Sequence, residues 1–590
     1  MAKKTQQKRL QPYNHALYCI PILLLILFYP FLAKYNTVSN PLLDNPCYYS
    51  NELLSDIFLY VKSGFLLFVV IAMLCMYIFH QITGDSAHKL SVSDFKIFIP
   101  LGVYAAFIVL STIFAGNRQV ALEGMPGQYE SMWTLFAYLI ICIFGYWYFK
   151  HAKSHTAVVY AFLGGSFLMG LLCLFQFLGE DPYVSMFANQ NATVAVKGVY
   201  GGFFNPNYLG SYVNLILPVL ATLLIAFRKK RTVFILLGIT TALTLLALIG
   251  SKTTGGLVGV AIMLCFTALF LLFKKKQWSG KAFCITFITI AAIFIFGICM
   301  FLNRATRSSI LLYERLEAIY TNDDNLEIRR DGETFYLQAH HSDGSFTLTC
   351  TDASGHDIPV KVRDNAFYFS DERLVHFSVK PFAFAEKNNI VSFMLFYGDY
   401  EFYFTNDYTD DGSYYYITPT LNFVKTTPEN TSLGVFFTKT PKFMSGRGYI
   451  WSQSIPMLAD TLLIGYGPDN FAEQFPNHDF VAALRGGFIN TFINKPHNMY
   501  LQIALQTGLP SLIAFLVFYL LYFAKCIKLY LNVDFGEQKE ALTGFGIFLG
   551  TVGYLVIGLI NDSSITVAPF FWLMMGIGYA MNQKLSQAIQ

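Results

Sequence analysis

Long apolar runs recur along this chain of 590 residues, and they constrain its fold more than any other feature. Each run approaches the roughly 20 residues that a helix needs to cross the hydrocarbon core of a bilayer. Lipid offers no hydrogen-bond partner to the backbone, so a spanning segment must satisfy its N–H and C=O groups internally, as a helix does. Hydrophobic residues make up 54% of the chain and charged residues only 13%, against about 25% charged residues in an average soluble domain. The sequence therefore predicts an all-α polytopic membrane protein.

About 12 transmembrane helices are expected from the lengths of the runs. They lie near residues 16–33, 57–80, 96–115, 131–149, 156–178, 207–227, 232–250, 254–273, 281–302, 504–524, 541–560 and 565–582. Pro30 and Lys34 close the first run and no small-residue cleavage site follows it, so we interpret it as a span and not as a signal peptide. The predicted regions are helices 1–9 in 1–302, a β-rich insert in 303–442, a catalytic loop in 443–503 and helices 10–12 in 504–590.

The positions of lysine and arginine predict the orientation, because short cytoplasmic loops carry an excess of both. Basic residues precede the first span and follow the fourth, sixth, eighth and tenth; they are Lys3, Lys4, Lys8, Arg9, Lys150, Lys153, Arg228 to Arg231, Lys274 to Lys276, Lys525 and Lys528. Both termini are then cytoplasmic, and residues 303–503 are extracytoplasmic. The net charge of +4 comes largely from these basic residues of the cytoplasmic loops. It favours anionic membrane lipids as partners and gives no reason to expect nucleic acid.

The composition changes after residue 302 to charged, glycine-punctuated sequence rich in Phe and Tyr. Short alternating runs at 334–337, 345–349, 366–369 and 400–404 are bounded by turn residues, so they predict hairpins of a small β sandwich. Its aromatic side chains can stack on sugar rings or simply pack the strands. The acidic pairs at 323–324 and 410–411 are interpreted as turn residues and not as metal ligands. Two lone extracytoplasmic cysteines, Cys47 and Cys350, leave a disulfide bridge possible but unsupported.

The loop from Gly446 to Leu509 holds the strongest candidate functional residues. His497 supplies an imidazole that accepts a proton near neutral pH, and Arg447 supplies a guanidinium that binds phosphate oxygens through two parallel N–H groups. Together these two side chains suit a hydroxyl nucleophile and a phosphorylated leaving group. The sequence shows no metal-ligand spacing.

The motifs of this loop resemble those of the O-antigen ligase and polymerase family. They are Gly446-Arg447-Gly448-Tyr449-Ile450-Trp451, Pro456 to Asp460, Gly465 to Phe471, His497 to Gln502 and Thr507-Gly508-Leu509. Two earlier motifs are also similar to that family's: Phe203 to Gly210, and Gly250-Ser251-Lys252. The resemblance covers nearly the whole membrane part and leaves out the β insert. The family usually has Arg at the position of Lys252. The lysine keeps the positive charge but lacks the paired N–H donors of a guanidinium.

The resemblance implies a glycosyltransferase that takes a glycan from a polyprenyl diphosphate, such as undecaprenyl diphosphate, on the outer face of a bacterial cytoplasmic membrane. The acceptor hydroxyl belongs to a glycan, a lipid or a protein, and neither a cofactor nor a metal is needed. His497 would act as the base, which typically contributes about 10² to 10⁴ in rate, and Arg447 would stabilise the leaving diphosphate. Attack from the face opposite the diphosphate predicts inversion. The substrate-binding candidates are Lys252, Asn498, Asn205, Asn207, Arg485 and Lys495, with Asn498 also placed to orient the imidazole.

Each candidate has a structural alternative. His497 can cap the following helix, and Arg447 can pair with lipid headgroups. Asn205 and Asn207 flank Pro206, which is typical of a turn that starts a helix. Two basic residues, Arg485 and Lys495, are expected to be solvated charges unless they widen a basic funnel toward the diphosphate, and Trp451 is expected to anchor its segment at the membrane interface.

Three functional classes remain open. A ligase transfers the glycan to a different acceptor, whereas a polymerase extends a lipid-linked repeat of a capsule or surface polysaccharide of the cell envelope; the β insert slightly favours a ligase because it can position a non-lipid acceptor. A transporter or flippase also fits a count of about 12 spans, but charges avoid the span centres and the candidate residues gather on one face. An adhesion or sensor protein explains the β insert but not the His497 loop.

Overall fold

The computed structural model describes residues 17–43, 45, 48, 51–83, 90–152, 155–188, 198–276, 281, 316–322, 325–342, 345–383, 391–406, 413–417, 423–425, 441–488, 491–536 and 538–589. Several predictions fall outside these residues. They concern nearly all of the ninth span, the basic residues before the first span, Lys153, Cys47 and the acidic pairs at 323–324 and 410–411.

Helices dominate the membrane part of the protein. In chain order they are α1 (Ile20–Leu27), α2 (Leu59–Thr83), α3 (Val92–Ile97), α4 (Ile99–Ile113), α5 (Arg118–Glu123), α6 (Met132–His151), α7 (Thr156–Phe177), α8 (Pro182–Phe187), α9 (Pro206–Ala226), α10 (Arg231–Ser251), α11 (Thr254–Lys276), α12 (Phe443–Ser454), α13 (Phe471–Gln474), α14 (Phe480–Gly486), α15 (Met499–Thr507), α16 (Leu509–Asn532), α17 (Lys539–Ile557) and α18 (Ala568–Ile589).

Within the described residues, 8 helices are long and apolar enough to cross a membrane. They are α2, α6, α7, α9, α10, α11, α16 and α17, and two shorter apolar segments lie at Leu17–Phe31 and Ile99–Ile113. In the first of these, Pro21 stands in the first turn of α1, which ends at Leu27, and Pro30 lies in the short 3₁₀ helix that follows; the second begins with Pro100 in its first turn, after a break at Phe98. The prediction of a mostly helical membrane protein is confirmed, while the count of about 12 spans stays a prediction.

The start of the tenth span differs from the prediction of residue 504. The chain forms the short helix α15, breaks at Gly508, and begins the long apolar helix α16 at Leu509. Gly508 has φ of 97°, a conformation that a glycine adopts without steric cost, and Pro510 sits in the first turn of α16. Residues 504–507, Ala-Leu-Gln-Thr, therefore belong to a buried helix of the loop.

The centre of the bundle is formed by two helix pairs, α9 with α17 and α6 with α18. Both pairs pack backbone against backbone at a glycine. A Cβ added to Gly550 of α17 would lie 2.2 Å from the carbonyl oxygen of Leu215, and one added to Gly576 of α18 would lie 2.0 Å from that of Cys142. The loop 558–567 joins these pairs, so it is held by the most closely packed helices of the protein.

The two ends of the bundle differ in charge. At one end, called the basic end here, Lys150 pairs with Asp94 at 2.6 Å, Lys274 donates to the carbonyl oxygen of Tyr530 at 2.9 Å, and Lys584 donates to that of Ala152 at 3.2 Å. The opposite end, called the site end here, carries the first turn of α9, the loop 558–567 and the candidate loop. Which end faces the cytoplasm stays a prediction from the positions of the basic residues.

The predicted β-rich insert is confirmed for residues 316–424. The strands of the protein are β1 (Asn36–Ser39), β2 (Leu53–Asp56), β3 (Leu316–Thr321), β4 (Leu326–Arg330), β5 (Glu333–Ser342), β6 (Ser345–Asp352), β7 (Val360–Arg363), β8 (Ala366–Phe369), β9 (Phe377–Ala383), β10 (Ser392–Tyr397), β11 (Tyr400–Thr405), β12 (Tyr415–Ile417) and β13 (Phe423–Val424). The first two form a separate pair, a four-stranded sheet has the order β3-β4-β5-β6, and a seven-stranded sheet has the order β13-β12-β11-β10-β9-β8-β7. Buried residues of both sheets form one apolar core, as in a sandwich. Cys350 lies in that core as a free cysteine.

Helix α14 connects the sandwich to the candidate loop. Val481 and Leu484 belong to the sandwich core, and the ring of Phe480 stacks on that of Tyr416 with centroids 4.0 Å apart. On the other side, a Cβ added to Gly486 would lie 2.7 Å from the Cβ of Tyr449, which belongs to α12. The β domain is therefore packed directly against the segment that carries Arg447.

Candidate functional site

The loop 558–567, between α17 and α18, brings the candidate residues together. Arg447 donates from Nε to the carbonyl oxygen of Ile560 at 2.7 Å, and the ring of His497 is bonded to Asp562. Because the two acceptors are only two residues apart, the guanidinium and the imidazole converge at one place on the site end.

His497 and Asp562 form a histidine–carboxylate pair. Nδ1 of the imidazole lies 2.8 Å from Oδ2 of Asp562, whose side chain is 1% exposed, whereas that of His497 is 37% exposed. An ionised carboxylate can only accept, so we assign the ring proton of neutral His497 to Nδ1, which leaves the lone pair on Nε2. The pair thus presents a basic nitrogen away from the protein interior.

Asp562 keeps its negative charge although it is buried. Burial by itself raises the pKa of this carboxyl, but the positive field and hydrogen bond of His497, together with Lys495 and Arg447, outweigh it, and the net pKa lies below the ordinary value. Asp562 is therefore ionised at neutral pH and can stabilise an imidazolium form of His497.

Arg447 is half-buried and uses three of its donors within the protein. Besides the bond to Ile560, Nη1 donates to the carbonyl oxygen of Met444 at 2.9 Å and Nη2 to Oδ1 of Asn561 at 3.3 Å. One N–H on each terminal nitrogen is left without a partner among the residues that the structure describes. Burial lowers the pKa of Arg447, but a guanidinium stays protonated in proteins. The side chain is therefore a fixed cation with two donors to spare.

Asn561 links this arginine to the first turn of α9. Its Nδ2 donates to the backbone oxygen of Asn207 and to Oγ of Ser211, both at 3.3 Å. Asn205 caps α9, since its side-chain oxygen accepts from the backbone N–H of Asn207 at 2.9 Å. Asn205 therefore starts a helix, which was the structural alternative to substrate binding. The motif at 203–210 contacts the site through the backbone oxygen of Asn207.

Lys495 is buried, so the prediction that it is a solvated charge was wrong. It is 5% exposed, and its Nζ donates to the hydroxyl of Tyr208 on α9 at 3.1 Å. Burial lowers the pKa of this ammonium, but Tyr208, Asp562 and Glu130 raise it more, so the net pKa lies above the ordinary value. Lys495 is therefore a buried cation whose charge partly compensates the site's carboxylates.

Asn498 is the N-cap of α15 and makes no hydrogen bond to the imidazole in the structure. Its Oδ1 accepts from the backbone N–H groups of Tyr500 and Leu501, at 2.9 and 3.0 Å, and its Nδ2 donates to the carbonyl oxygen of Leu559 at 2.9 Å. The imidazole is bonded to Asp562 instead, and the capping alternative for His497 is excluded because its neighbour Asn498 takes that place. The indole of Trp451 donates to the carbonyl oxygen of Pro496 at 2.9 Å and ties α12 to the His497 segment, while its anchoring at the membrane interface stays a prediction.

Lys252 follows the last residue of α10 and is exposed, with no partner for its ammonium group among the described residues. Three residues further on, a Cβ added to Gly255 would lie 2.8 Å from Cδ1 of Ile560. The turn of Lys252 is therefore next to the loop that binds Arg447. Arg485 lies on α14, at the junction with the β domain, and its side chain lies outside the described residues.

Besides Asp562, two buried acidic residues of the site, Glu130 and Asp469, were not among the predicted site residues, although Asp469 lies in the motif Gly465 to Phe471. Glu130 accepts from Tyr138 and Ser563 on Oε1 and from Gln502 on Oε2, each at 2.7 Å. Asp469 accepts on Oδ2 from the backbone N–H groups of Met125 and Glu130, at 3.0 and 2.8 Å. Burial and the nearby Glu130 raise the pKa of Asp469 to about 7. These carboxyls connect the loop before α6 with the candidate loop.

Backbone strain gathers at the same place. Of the ten non-glycine residues with positive φ among the described residues, seven lie at the site end, five in loops and two in the non-helical first turn of α12. They are Tyr129, Phe204, Lys252, Met444, Ser445, Asp469 and His497; the other three lie in turns of the β domain. Such conformations cost about 1–3 kcal/mol each and persist where the surrounding structure enforces them, often at functional sites.

A polar run marks the loop that the sequence analysis passed over. Residues 561–564 read Asn-Asp-Ser-Ser between two apolar helices, on the face predicted to hold the catalytic loop. An acid in a short connection on that face was the available signal for Asp562. Glu130 offered a similar signal, in the connection before α6.

Fold and site together define a polytopic membrane protein that gathers a histidine–aspartate pair and a fixed arginine in loops at one end of its helical bundle. Residues 390–516 match the family model described as O-Antigen ligase. The matched residues include Arg447 and His497, and they support the O-antigen ligase and polymerase family and a ligase-like or polymerase-like function in general. The match starts inside the β insert, which the resemblance was expected to leave out, and it does not extend to the motifs of Asn205 and Lys252. No match was found among the curated proteins or among the solved structures.

Proposed function

We propose that this protein is a membrane glycosyltransferase that moves a glycan from a polyprenyl diphosphate to an acceptor hydroxyl, with inversion and without a metal. His497 is the general base, Arg447 binds the diphosphate, and Asp562 positions His497. The transfer takes place at the site end, on the outer face of the membrane.

The observation that carries the proposal is the 2.8 Å bond between Nδ1 of His497 and Oδ2 of Asp562. A base must keep a lone pair directed at the proton that it removes. The ionised carboxylate holds the ring so that Nε2 has this lone pair, and it stabilises the imidazolium that forms when the hydroxyl is deprotonated. The acceptor oxygen then bonds to the anomeric carbon while the bond to the diphosphate breaks on the opposite face, which gives inversion.

The leaving diphosphate gains negative charge as its bond to the sugar breaks. Arg447 offers two unpaired donors for this charge, and their fork geometry suits two phosphate oxygens. Lys252 supplies a second positive charge from an exposed turn on the neighbouring helices. Because the ammonium of Lys252 lacks the paired donors of a guanidinium, we expect it to attract the diphosphate without fixing its orientation.

The packing of the β domain favours a ligase over a polymerase. Helix α14 contributes to the sandwich core and also contacts Tyr449, two residues after Arg447. A sandwich fixed in this way can hold a non-lipid acceptor near the base. In a polymerase both substrates carry lipid diphosphates, so the products are chains with increasing numbers of repeats. A ligase instead adds one glycan to each acceptor.

The direct test measures release of labelled polyprenyl diphosphate from a lipid-linked oligosaccharide in proteoliposomes with candidate acceptors. The variant His497→Ala should lose about 10² to 10⁴ in rate, and a chelator should leave the wild-type rate unchanged.

His356→Ala is the matched control. His356 also faces an aspartate, Asp352, at 3.4 Å, but its side chain is 81% exposed in a turn of the β domain, so this variant should keep the wild-type rate. If folded wild-type protein releases no diphosphate with any acceptor, or if His497→Ala matches His356→Ala, the proposed function is wrong. Loss of activity with the chelator would refute metal independence alone.

A further inference from the structure

A large cavity lies within the membrane part, away from the candidate site. It has a volume of about 420 Å³ and lies between α1, α7, α9, α10, α17 and α18. Its interior is apolar; Val219, Phe570 and Leu573 are among its lining residues. The volume is in the range of protein cavities that bind small molecules.

The dimensions of the cavity fit a hydrocarbon chain. Phe570, near the first turn of α18, and Lys584, near its end, both line it, so it extends for about 21 Å along this helix at a rise of about 1.5 Å per residue. One leaflet of a bilayer contributes about 15 Å of hydrocarbon, half of the core thickness. A lipid tail of about this length that enters at one end therefore fits within the cavity.

The polar residues of the cavity lie at the basic end of the bundle. Lys230 follows α9, His155 precedes α7, and Lys584 and Glu540 come from α18 and α17. Lys230 and Glu540 are exposed and also line the cavity, so they mark its mouth. The side chain of Lys584 is held at this mouth, because its Nζ donates to the carbonyl oxygen of Ala152 at 3.2 Å and to Nε2 of His155 at 3.4 Å.

The charge of this mouth is positive on balance. Burial, with a smaller effect of Lys584, lowers the pKa of His155 to about 4, so the imidazole is neutral near pH 7. Two lysines then face one glutamate among the lining residues that the structure describes. An apolar interior with a cationic mouth is complementary to an amphiphile with an anionic head.

We propose that this cavity binds one anionic phospholipid, with an acyl chain between α7, α9 and α18 and its phosphate headgroup between Lys230 and Lys584. The site is separate from the proposed transfer reaction, which occurs at the opposite end of the bundle. It does not depend on whether that proposed function is correct.

The test uses the full-length protein in detergent and counts retained lipid by native mass spectrometry. The probes are phosphatidylglycerol and phosphatidylcholine with identical acyl chains. Wild type should retain one phosphatidylglycerol in preference to phosphatidylcholine. A juxtamembrane lysine near an anionic surface contributes about fivefold in affinity, so Lys230→Gln and Lys584→Gln should each reduce the preference by about that factor. Lys229→Gln, at the neighbouring exposed position outside the cavity lining, should leave it unchanged.

A second pair of variants tests the cavity itself. Val233→Trp fills it from α10, whereas Ile235→Trp places the same side chain on an exposed position of that helix outside the lining. Only the first should reduce retention of both lipids. Equal retention of the two phospholipids by wild type, or an unchanged count in Val233→Trp, would overturn the proposal. Displacement of the lipid by polyprenyl phosphate at equimolar concentration would also overturn it, by assigning the cavity to a polyprenyl tail. If Val233→Trp does not fold, the lysine variants still decide between the outcomes.

Discussion

The variant Asp562→Asn tests whether His497 must be held by the carboxylate, because it keeps His497 and changes only its partner. Asn has nearly the same shape but no charge, and its amide can donate to Nδ1, which favours the tautomer with its proton on the wrong nitrogen. The variant also loses the anion that stabilises the imidazolium. A hydrogen bond to a charged group contributes about 1.5–3 kcal/mol, and each 1.36 kcal/mol of barrier is tenfold in rate. The expected loss is therefore about 10- to 150-fold in kcat.

The assay is the initial rate of labelled diphosphate release in proteoliposomes, with kcat and KM determined separately. KM for the lipid-linked donor should change little, because Arg447 keeps its bonds to Ile560 and Asn561 in the variant. Asp352→Asn is the matched control, since Asp352 faces His356 at 3.4 Å on the surface of the β domain. An Asp562→Asn protein that elutes like wild type in size-exclusion chromatography and keeps full kcat would refute the positioning role. A rise in KM at constant kcat would assign Asp562 to substrate binding instead.

Three further variants test the site and the packing beneath it. Arg447→Lys keeps the charge but loses the fork and the bonds to Ile560 and Asn561, so diphosphate release should fall by at least about tenfold in proteoliposomes; a rate equal to wild type would show that charge alone is needed. For Asp469, the folded pKa of about 7 exceeds the unfolded value, so its contribution to stability is fully present below about pH 4 and is lost as the pH rises to about 7; the Tm of wild type relative to Asp469→Asn should fall across this window and level off above it, and a constant difference contradicts the raised pKa. Gly576→Ala should reduce the yield of folded protein and lower the Tm, because the new Cβ would lie 2.0 Å from the carbonyl oxygen of Cys142 and such overpacking typically costs about 1–3 kcal/mol; Gly238→Ala, with nothing within 4 Å of the added Cβ, is its control, and equal stability of the two would contradict this packing of α6 on α18.

Periodicity and composition predicted the parts of the fold that depend on local sequence. Apolar runs identify helices such as α9 and α17, because a segment in lipid must satisfy the hydrogen bonds of its own backbone and a helix does so. Alternating aromatic runs identify the hairpins of the sandwich because successive side chains of a strand point to opposite faces of the sheet. The break at Gly508 was not predicted, since the predicted span began with Ala504 and Leu505 and continued across the turn into the apolar run from Leu509. Hydropathy measures transfer into an apolar environment and does not distinguish a buried loop helix from a lipid-facing one.

The site was predicted where one motif carries the chemistry and missed where partners come from distant segments. Arg447 and His497 stand in one loop, and their side chains suggest phosphate binding and proton transfer directly. Asp562 lies 65 residues from His497 along the chain, and Glu130 reaches the site from before α6. Long-range pairing of this kind depends on how the helices pack, which a single sequence does not contain. Lys495 was misjudged for the same reason, because its burial results from Tyr208 on α9.

The buried charges explain why Arg447 remains available to a substrate. An ionised carboxylate such as Asp562 is costly to bury unless cations compensate it, and Arg447 alone would have to do this if the site held no other positive charge. Lys495 takes over part of that role, since its ammonium is buried beside Tyr208 and both it and His497 lower the pKa of Asp562. Arg447 in turn bonds to neutral acceptors, namely two carbonyl oxygens and one amide. Its charge is therefore held in place by dipoles and is not neutralised by a bonded carboxylate, so in the proposed reaction it is available to the negative charge that grows on the leaving diphosphate.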